Sequence, residues 1–96
     1  MQPLIDNENI TEIMVNGPEN IFFEERGILH KWDKSFENTK RLLDVIFRLF
    51  SKANKDISES RPISDVRLSD GSRANAVLSP VAPDGPVLTI RKFTGI

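Results

Sequence analysis

The sequence predicts an α+β domain in which one main helix covers a mostly antiparallel sheet of about six strands. Both halves of the chain contain short β-branched and aromatic runs with a two-residue period. A single segment between these halves has the three- and four-residue spacing of an amphipathic helix. The predicted order is therefore β-β-β-α-β-β-β, with a possible short helix at the N-terminus.

The first half of the chain predicts that short helix and three strands. Leu4 and Ile5 precede the polar sequence "DNEN" and can form one helical turn. "TEIMV" has strand composition and ends at the turn sequence "NGP". "IFFEE" and "ILHKWD" lie on either side of Arg26-Gly27, which predicts a tight hairpin.

The middle of the chain predicts one amphipathic helix, from about Glu37 to Ala53. Lysines, arginines and an aspartate lie on the opposite side of this helix from its apolar residues. The predicted apolar stripe consists of Leu42, Leu43, Ile46, Phe47, Leu49, Phe50 and Ala53.

The last third of the chain predicts three more strands, at about Ile63–Leu68, Ser72–Ser79 and Val87–Phe93. Alternate residues of each strand are apolar, which is typical of a sheet with one buried face. The predicted core face consists of Val66, Leu68, Ala74, Ala76, Leu78, Leu88 and Ile90.

The loop between the first two of these strands sets their register. A two-residue turn would place Leu68 opposite Arg73 and would mix the apolar face with the charged face. A three-residue loop at residues 69–71, with its glycine in a left-handed conformation, pairs Val66 with Ala74 and keeps the apolar residues together. We therefore predict the three-residue loop.

Three arginines are the candidate functional residues. In the predicted register Arg67 faces Arg73 on the side away from the core, and Arg91 has the same parity on the third strand. If that strand joins the same sheet, the three guanidinium groups share one surface. Like charges opposed on a sheet repel unless an anion lies between them. These arginines can be ordinary solvated side chains, for example paired with Asp65, or bidentate phosphate ligands. Spacing leaves both alternatives open.

Composition limits the classes of function. The chain has 96 residues, a formal net charge of -1, 39% hydrophobic residues and no cysteine. This balance is typical of one soluble globular domain, and it argues against general binding of nucleic acid or insertion into a membrane. The polar, acidic N-terminus does not resemble a signal peptide.

A few other polar and aromatic residues are weaker candidates. His30 is the single histidine, and we expect a structural role because partners for a metal or a catalytic triad are absent. Glu24 and Glu25 precede the hairpin and are expected to be solvated, although a catalytic carboxylate pair stays open. Trp32 can be a core residue or an interface anchor.

Longer segments of the chain resemble a known family. "EIMVNGPENIFFEERG", followed by the helix and then "DVRLSDGSRANAVLSPVAPDGPVLTIRKF", is similar to the N-terminal domain of secretion ATPases of the tight-adherence pilus type. These belong to the wider superfamily of type II and type IV secretion and pilus-assembly ATPases. The resemblance runs from about Pro3 to Phe93, and "EIMVNGP", "DGSRANA" and "LTIRKF" occur in the family's order.

The resemblance implies a function and a set of partners. Enzymes of this kind form ring hexamers in which ATP lies between the N-terminal domain and a RecA-like motor domain. It implies that Arg73 and Arg91 reach the γ-phosphate side of ATP, with Arg67 as a supporting neighbour. It also implies a cytoplasmic location at the inner membrane, with platform proteins of a secretion or pilus apparatus as partners.

The sequence departs from the family in one respect. No segment matches the phosphate-binding loop G-x-x-x-x-G-K-[ST], because Gly71, Gly85 and Gly95 are isolated. We therefore expect residues 1–93 to form the N-terminal domain and residues 94–96 to begin a linker to a motor domain. That motor domain would supply the phosphate loop and the Mg²⁺ site. The alternative is a small protein-interaction module that does not bind nucleotide.

Overall fold

The computed structural model describes residues 2–58, 60–78, 81–82 and 85–92. Within these ranges the chain forms one six-stranded sheet and two helices, which confirms the predicted α+β fold. The elements are α1 (Gln2–Asp6), β1 (Ile10–Asn16), β2 (Ile21–Glu25), β3 (Ile28–Lys31), α2 (Thr39–Lys52), β4 (Ile63–Arg67), β5 (Arg73–Val77) and β6 (Val87–Arg91). None of the helices in this described part is long and apolar enough to cross a membrane.

The sheet consists of two three-stranded meanders joined through their first and last strands. The strand order is β3-β2-β1-β6-β5-β4, and every neighbouring pair is antiparallel. The joining pair is β1 with β6, in which Ile13 lies opposite Ile90 and Val15 lies opposite Leu88. The last predicted strand therefore belongs to the same sheet as the other five.

The hydrophobic core lies on one face of this sheet. Ile13, Val15 and Leu88 are fully buried, and they cluster with buried side chains of α2. Alternate residues of the same strands, which point to the opposite face, are partly or fully exposed. The two-residue period in the sequence therefore separates a buried face from a solvent-facing one.

Most predicted boundaries agree with the structure to within two residues. Helix α2 begins at Thr39 rather than Glu37 because the Asn38 side chain accepts a hydrogen bond from the backbone N–H of Arg41, at 2.9 Å. It ends before Asn54, whose φ of 56° is left-handed. The predicted strand ends at Ser79 and Phe93 and the predicted linker 94–96 lie outside the described residues.

The predicted stripe of α2 is correct for its centre and wrong for one aromatic residue. Leu42, Ile46 and Phe50 are fully buried, whereas Phe47 is 41% exposed. Phe47 follows Ile46 directly, so the helix turns its side chain by about 100° from the centre of the buried face. The spacing alone does not show how wide the buried stripe is.

The β2–β3 hairpin has the predicted tight turn. Glu25 pairs with Ile28, which leaves two loop residues, and both have positive φ: 53° for Arg26 and 80° for Gly27. Positive φ at both positions defines a type I′ turn, whose twist matches that of the flanking strands.

The β4–β5 hairpin has the predicted three-residue loop. Val66 pairs with Ala74, and the N–H of Leu68 donates to the carbonyl of Ser72 at 2.7 Å. Gly71 has the expected left-handed conformation, with φ of 90°. The predicted register is confirmed: Val66, Ala74 and Ala76 share the core face, whereas Ile63, which has the opposite parity, is 58% exposed.

The carboxylate of Asp70 stabilises this loop. Its Oδ1 atom accepts a hydrogen bond from the backbone N–H of Ser72 at 2.9 Å. This hydrogen bond is the main reason that the pKa of Asp70 is lowered from its usual value of 3.8; burial opposes the shift. The hairpin is therefore better supported when this carboxylate is charged.

Two phenylalanines of α2 provide a matched test of the core. We expect Phe50→Ala to lower the free energy of unfolding by about 3–5 kcal/mol, because it leaves a cavity among fully buried side chains. Phe47→Ala, the same change on the same helix, should cost less than about 1 kcal/mol. Urea unfolding of both variants measures the difference, and equal costs would contradict the observed helix orientation.

The Asp70 carboxylate predicts a pH-dependent contribution to stability. A lowered folded pKa means that its contribution is complete above the usual value of 3.8 and is lost as the pH falls through the folded pKa. At neutral pH, Asp70→Ala should cost at most about 1 kcal/mol, since the site is exposed. Unfolding of both proteins should show this difference shrinking in acid. A constant difference would contradict a role for the charge, and Asp70→Asn, which keeps an acceptor oxygen, is the control.

Candidate anion-binding site on the exposed sheet face

The three candidate arginines lie side by side on three neighbouring strands. Arg67 of β4 pairs with Arg73 of β5, and Arg73 pairs with Arg91 of β6. All three are exposed, on the face opposite the core. The row continues into β1, where Glu12 lies opposite Arg91, and into β2, where Glu24 lies opposite Glu12. We call this row the charged row; it consists of Arg67, Arg73, Arg91, Glu12 and Glu24.

Two of the arginines form ion pairs with carboxylates of the same face. An Nη2 atom of Arg73 lies 3.1 Å from Oδ2 of Asp65, a residue of β4 two positions before Arg67. The Nη2 atom of Arg91 lies 3.2 Å from Oε1 of Glu12. These carboxylates supply the negative charge that offsets the direct opposition of Arg73 and Arg91.

The two ion pairs line one shallow depression of about 270 Å³. Its polar lining consists of Glu12, Asp65, Arg73, Asn75, Thr89 and Arg91. Pockets that enclose a small organic molecule usually measure about 300–1,000 Å³. This depression is smaller than that and open, so it suits the contact of one anionic group, such as a terminal phosphate, better than the enclosure of a whole nucleotide.

Arg67 belongs to the charged row but not to the lining of that depression. It lines a separate depression of about 530 Å³ between the C-terminal end of α2 and the β4–β5 loop. Lys52 and Asp70 also line this second depression. Within the described ranges, Arg67 has no carboxylate close enough for an ion pair. Arg73 and Arg91 therefore line the same depression, whereas Arg67 lines a different one.

The end of β6 is held in place by Lys92, a residue that the sequence did not single out. Its backbone N–H donates to the carbonyl of Thr11 at 2.9 Å, which extends the β1–β6 pairing beyond Arg91. Its Nζ atom donates to the carbonyls of Leu4 and Asn7, both at 2.7 Å. Burial lowers the pKa of this amine, and the nearby carboxylates oppose the shift. These hydrogen bonds hold the backbone at the end of β6, directly after Arg91.

His30, Trp32 and Glu24 contact neighbouring side chains. His30 is exposed, and its ring stacks on Phe23 with centroids 5.2 Å apart. Trp32 is partly buried against the core. Glu24 accepts a long hydrogen bond of 3.4 Å from the Thr11 hydroxyl. In the parts of the chain that the structure describes, no three histidine, aspartate or glutamate side chains are arranged to hold a metal ion.

Glu12 is the residue of the site that sequence reasoning missed. Alternation along β1 assigns it to the exposed face, since its neighbour Ile13 is buried. That parity is visible in the sequence. Its position beside Arg91 is not, because the two residues are 79 positions apart and meet only through the β1–β6 pairing.

The arrangement suits one kind of chemistry. Arg73 and Arg91 have side chains that are 62% and 76% exposed, and each ion pair uses one nitrogen–oxygen contact. Guanidinium groups keep their charge at all physiological pH values and grip phosphate oxygens with two parallel hydrogen bonds. The surface can therefore recognise and stabilise an anion.

The chain has relatives in archaea and bacteria. It is 33% identical over 99 residues to protein MJ0900 of Methanocaldococcus jannaschii, 29% identical over 93 residues to the type IV secretion system protein VirB11 of Brucella suis, and 30% identical over 97 residues to the type IV secretion system protein PtlH of Bordetella pertussis. These alignments cover 100%, 96% and 96% of this chain. No protein-family profile matches it.

The fold also matches a solved structure over almost the whole chain. The crystal structure of the VirB11 ATPase from the Brucella suis type IV secretion system, in complex with sulphate, superposes with a TM-score of 0.82 and 26% identity, over 99% of this chain and 30% of that chain. The chain spans 18%, 26% and 27% of the lengths of the three relatives above. Together, the sequence relatives and the matched fold confirm the predicted resemblance to the N-terminal domain of a secretion ATPase.

Proposed function

We propose that this domain closes over ATP bound to a neighbouring motor domain and supplies Arg73 and Arg91 to the γ-phosphate side. The observation that carries the proposal is the direct cross-strand pairing of these two arginines on an exposed sheet face. Two guanidinium groups on adjacent strands can contact different oxygens of one phosphate group. Similarity to a secretion ATPase gives the context in which that phosphate would belong to ATP.

The proposed chemistry is electrostatic. Phosphoryl transfer spreads negative charge over the transferred group, and fixed positive charge placed there lowers the barrier. Strands hold the arginine backbones rigidly, and Lys92 ties the end of β6 to α1. Closing the domain would bring both arginines to the phosphate and exclude water, and reopening after hydrolysis would transmit a movement to the secretion machinery.

The remaining parts of the nucleotide site would come from the motor domain. The 96 residues contain no G-x-x-x-x-G-K-[ST] loop, so the backbone cradle for the phosphates and its lysine belong elsewhere. We propose that the motor domain would also hold the Mg²⁺ ion, which would neutralise part of the phosphate charge. This chain contributes the two arginines, and Arg67 would support them with positive charge.

The proposed setting is a homo-hexamer of a longer chain. In it, the domain would contact its own motor domain, neighbouring subunits and platform proteins of a secretion or pilus apparatus, on the cytoplasmic side of the inner membrane. Nucleic acid is not among the proposed partners, since the net charge of -1 provides no general attraction for it.

An interaction module without nucleotide is the competing function. The observation that favours it is that Arg73 and Arg91 already have carboxylate partners, as ordinary surface arginines do. The two functions differ in what the arginines do for ATP turnover, which the following experiments measure.

The first experiment uses the 96-residue chain alone. We expect it to fold, to show no ATPase activity and to bind nucleotide with a dissociation constant of about a millimolar or weaker, because exposed arginines are the whole of its proposed contribution. Calorimetry and a coupled ATPase assay measure both properties. Micromolar affinity, or turnover that persists through further purification, would contradict the division of the site between two domains.

The second experiment uses the assembled full-length ATPase. We expect Arg73→Ala and Arg91→Ala each to lower kcat by at least about tenfold, with smaller effects on KM, because an arginine that acts on phosphoryl charge chiefly stabilises the transition state. Lysine at either position should restore little activity, since it lacks the planar fork. Steady-state kinetics measures these effects, and sedimentation verifies that the hexamer still forms.

Arg41→Ala is the control for the second experiment. Arg41 is an exposed arginine of α2 that pairs with Glu37 at 3.8 Å, on a different element from the charged row. Its removal should leave kcat nearly unchanged. If Arg73→Ala and Arg91→Ala behave like Arg41→Ala, the interaction module becomes the better interpretation.

A further inference from the structure

We infer that Glu12 and Asp65 are built-in competitors of the phosphate: they hold Arg91 and Arg73 when the domain is open and must release them when an anion binds. This inference rests on the proposed function, because it describes how the same two arginines are regulated. It concerns two carboxylates of this chain that the proposed function does not use.

The charges that line the depression are balanced. Its lining carries two guanidinium groups, Arg73 and Arg91, and two carboxylates, Glu12 and Asp65. The four charges cancel, so an approaching anion meets a neutral surface rather than an attractive field. An anion gains full contact with the arginines only by taking the places that the carboxylate oxygens occupy.

Both ion pairs are weak enough for another anion to replace the carboxylate. The contacts of 3.1 Å and 3.2 Å each involve one nitrogen and one oxygen, on arginines whose side chains are 62% and 76% exposed. Exposed pairs of this kind contribute little to stability. A phosphate group offers three oxygens and can accept two parallel hydrogen bonds from each guanidinium group. Phosphate is therefore the stronger ligand once it is held nearby by another domain.

The two carboxylates, Glu12 and Asp65, differ in their exposure to solvent. The Glu12 side chain is 20% exposed, whereas that of Asp65 is 49% exposed. Glu12 also lies directly opposite Glu24 on β2 and opposite Arg91 on β6, so losing Arg91 would leave these two neighbouring carboxylates without a cation beside Glu12. Glu12 should hold Arg91 more firmly than Asp65 holds Arg73. Arg73 would therefore leave its carboxylate and bind the anion first, and Arg91 would follow.

In the proposed cycle, the open domain would therefore have a low affinity for the anion. The carboxylates would recapture the arginines as the phosphate leaves, which favours reopening of the domain. A domain without them would bind the anion more tightly and release it more slowly.

The experiment titrates the 96-residue chain with inorganic tripolyphosphate at fixed ionic strength. Binding is followed by the NMR signals of the Nε–H groups of Arg73 and Arg91. We expect Glu12→Gln and Asp65→Asn to lower the dissociation constant by roughly two- to fivefold, the range that exposed ion pairs support, with the larger change in Glu12→Gln. Thermal unfolding verifies that each variant is folded.

The matched control is Glu37→Gln. It removes one negative charge and the partner of an exposed arginine, as the two test variants do, but on helix α2. Its dissociation constant should equal that of the unmodified chain. If Glu12→Gln and Asp65→Asn bind no more tightly than Glu37→Gln, the inferred competition is wrong.

Arginine variants separate this inference from the proposed function. If Arg73→Ala and Arg91→Ala lose tripolyphosphate binding while the carboxylate variants bind like the control, the proposed contact with phosphate is supported and the inferred competition is wrong. If both alanine variants bind as well as the unmodified chain, or if neither the unmodified chain nor any variant binds, both the proposed contact with phosphate and the inferred competition are wrong.

Discussion

The pairing of β1 with β6 is the interaction on which the rest of the structure depends. It joins two three-stranded meanders, each of which is local in sequence, into one sheet with a continuous apolar face. Ile13 and Ile90 lie opposite each other in this pair, and both are buried in the core. The core that α2 covers therefore contains side chains of strands from both ends of the chain.

The same pairing creates the candidate site. It brings Glu12 beside Arg91 and so completes the charged row, with carboxylates on the first meander and arginines on the second. A surface built in this way can respond to an anion through exchange of partners, without rearrangement of the core. That property suits the proposed role, in which the domain would bind and release a phosphate in each cycle, because the buried face of the strands carries the core and the exposed face is left for the proposed contact.

The sequence predicted more of this site than of its surroundings. The parity of Arg67 and Arg73 and the three-residue loop follow from one requirement, that apolar residues share a face, and the structure confirms both. The stripe of α2 was predicted too wide, because a helix buries a band of variable width; Phe47 lies outside that band. Lys92 gave no signal, since its partners are backbone carbonyls, which any sequence provides.

By itself, the sequence determined the elements, their two faces and the register within each hairpin, because these depend on alternation, helical spacing and turn residues within a few positions of one another. Only the tertiary structure decided that β6 lies between β5 and β1. That choice depends on how two apolar meanders fit together under α2, a packing question that no local pattern records. It determined that Arg91 lies between Arg73 and Glu12, and hence which cations and anions share the depression.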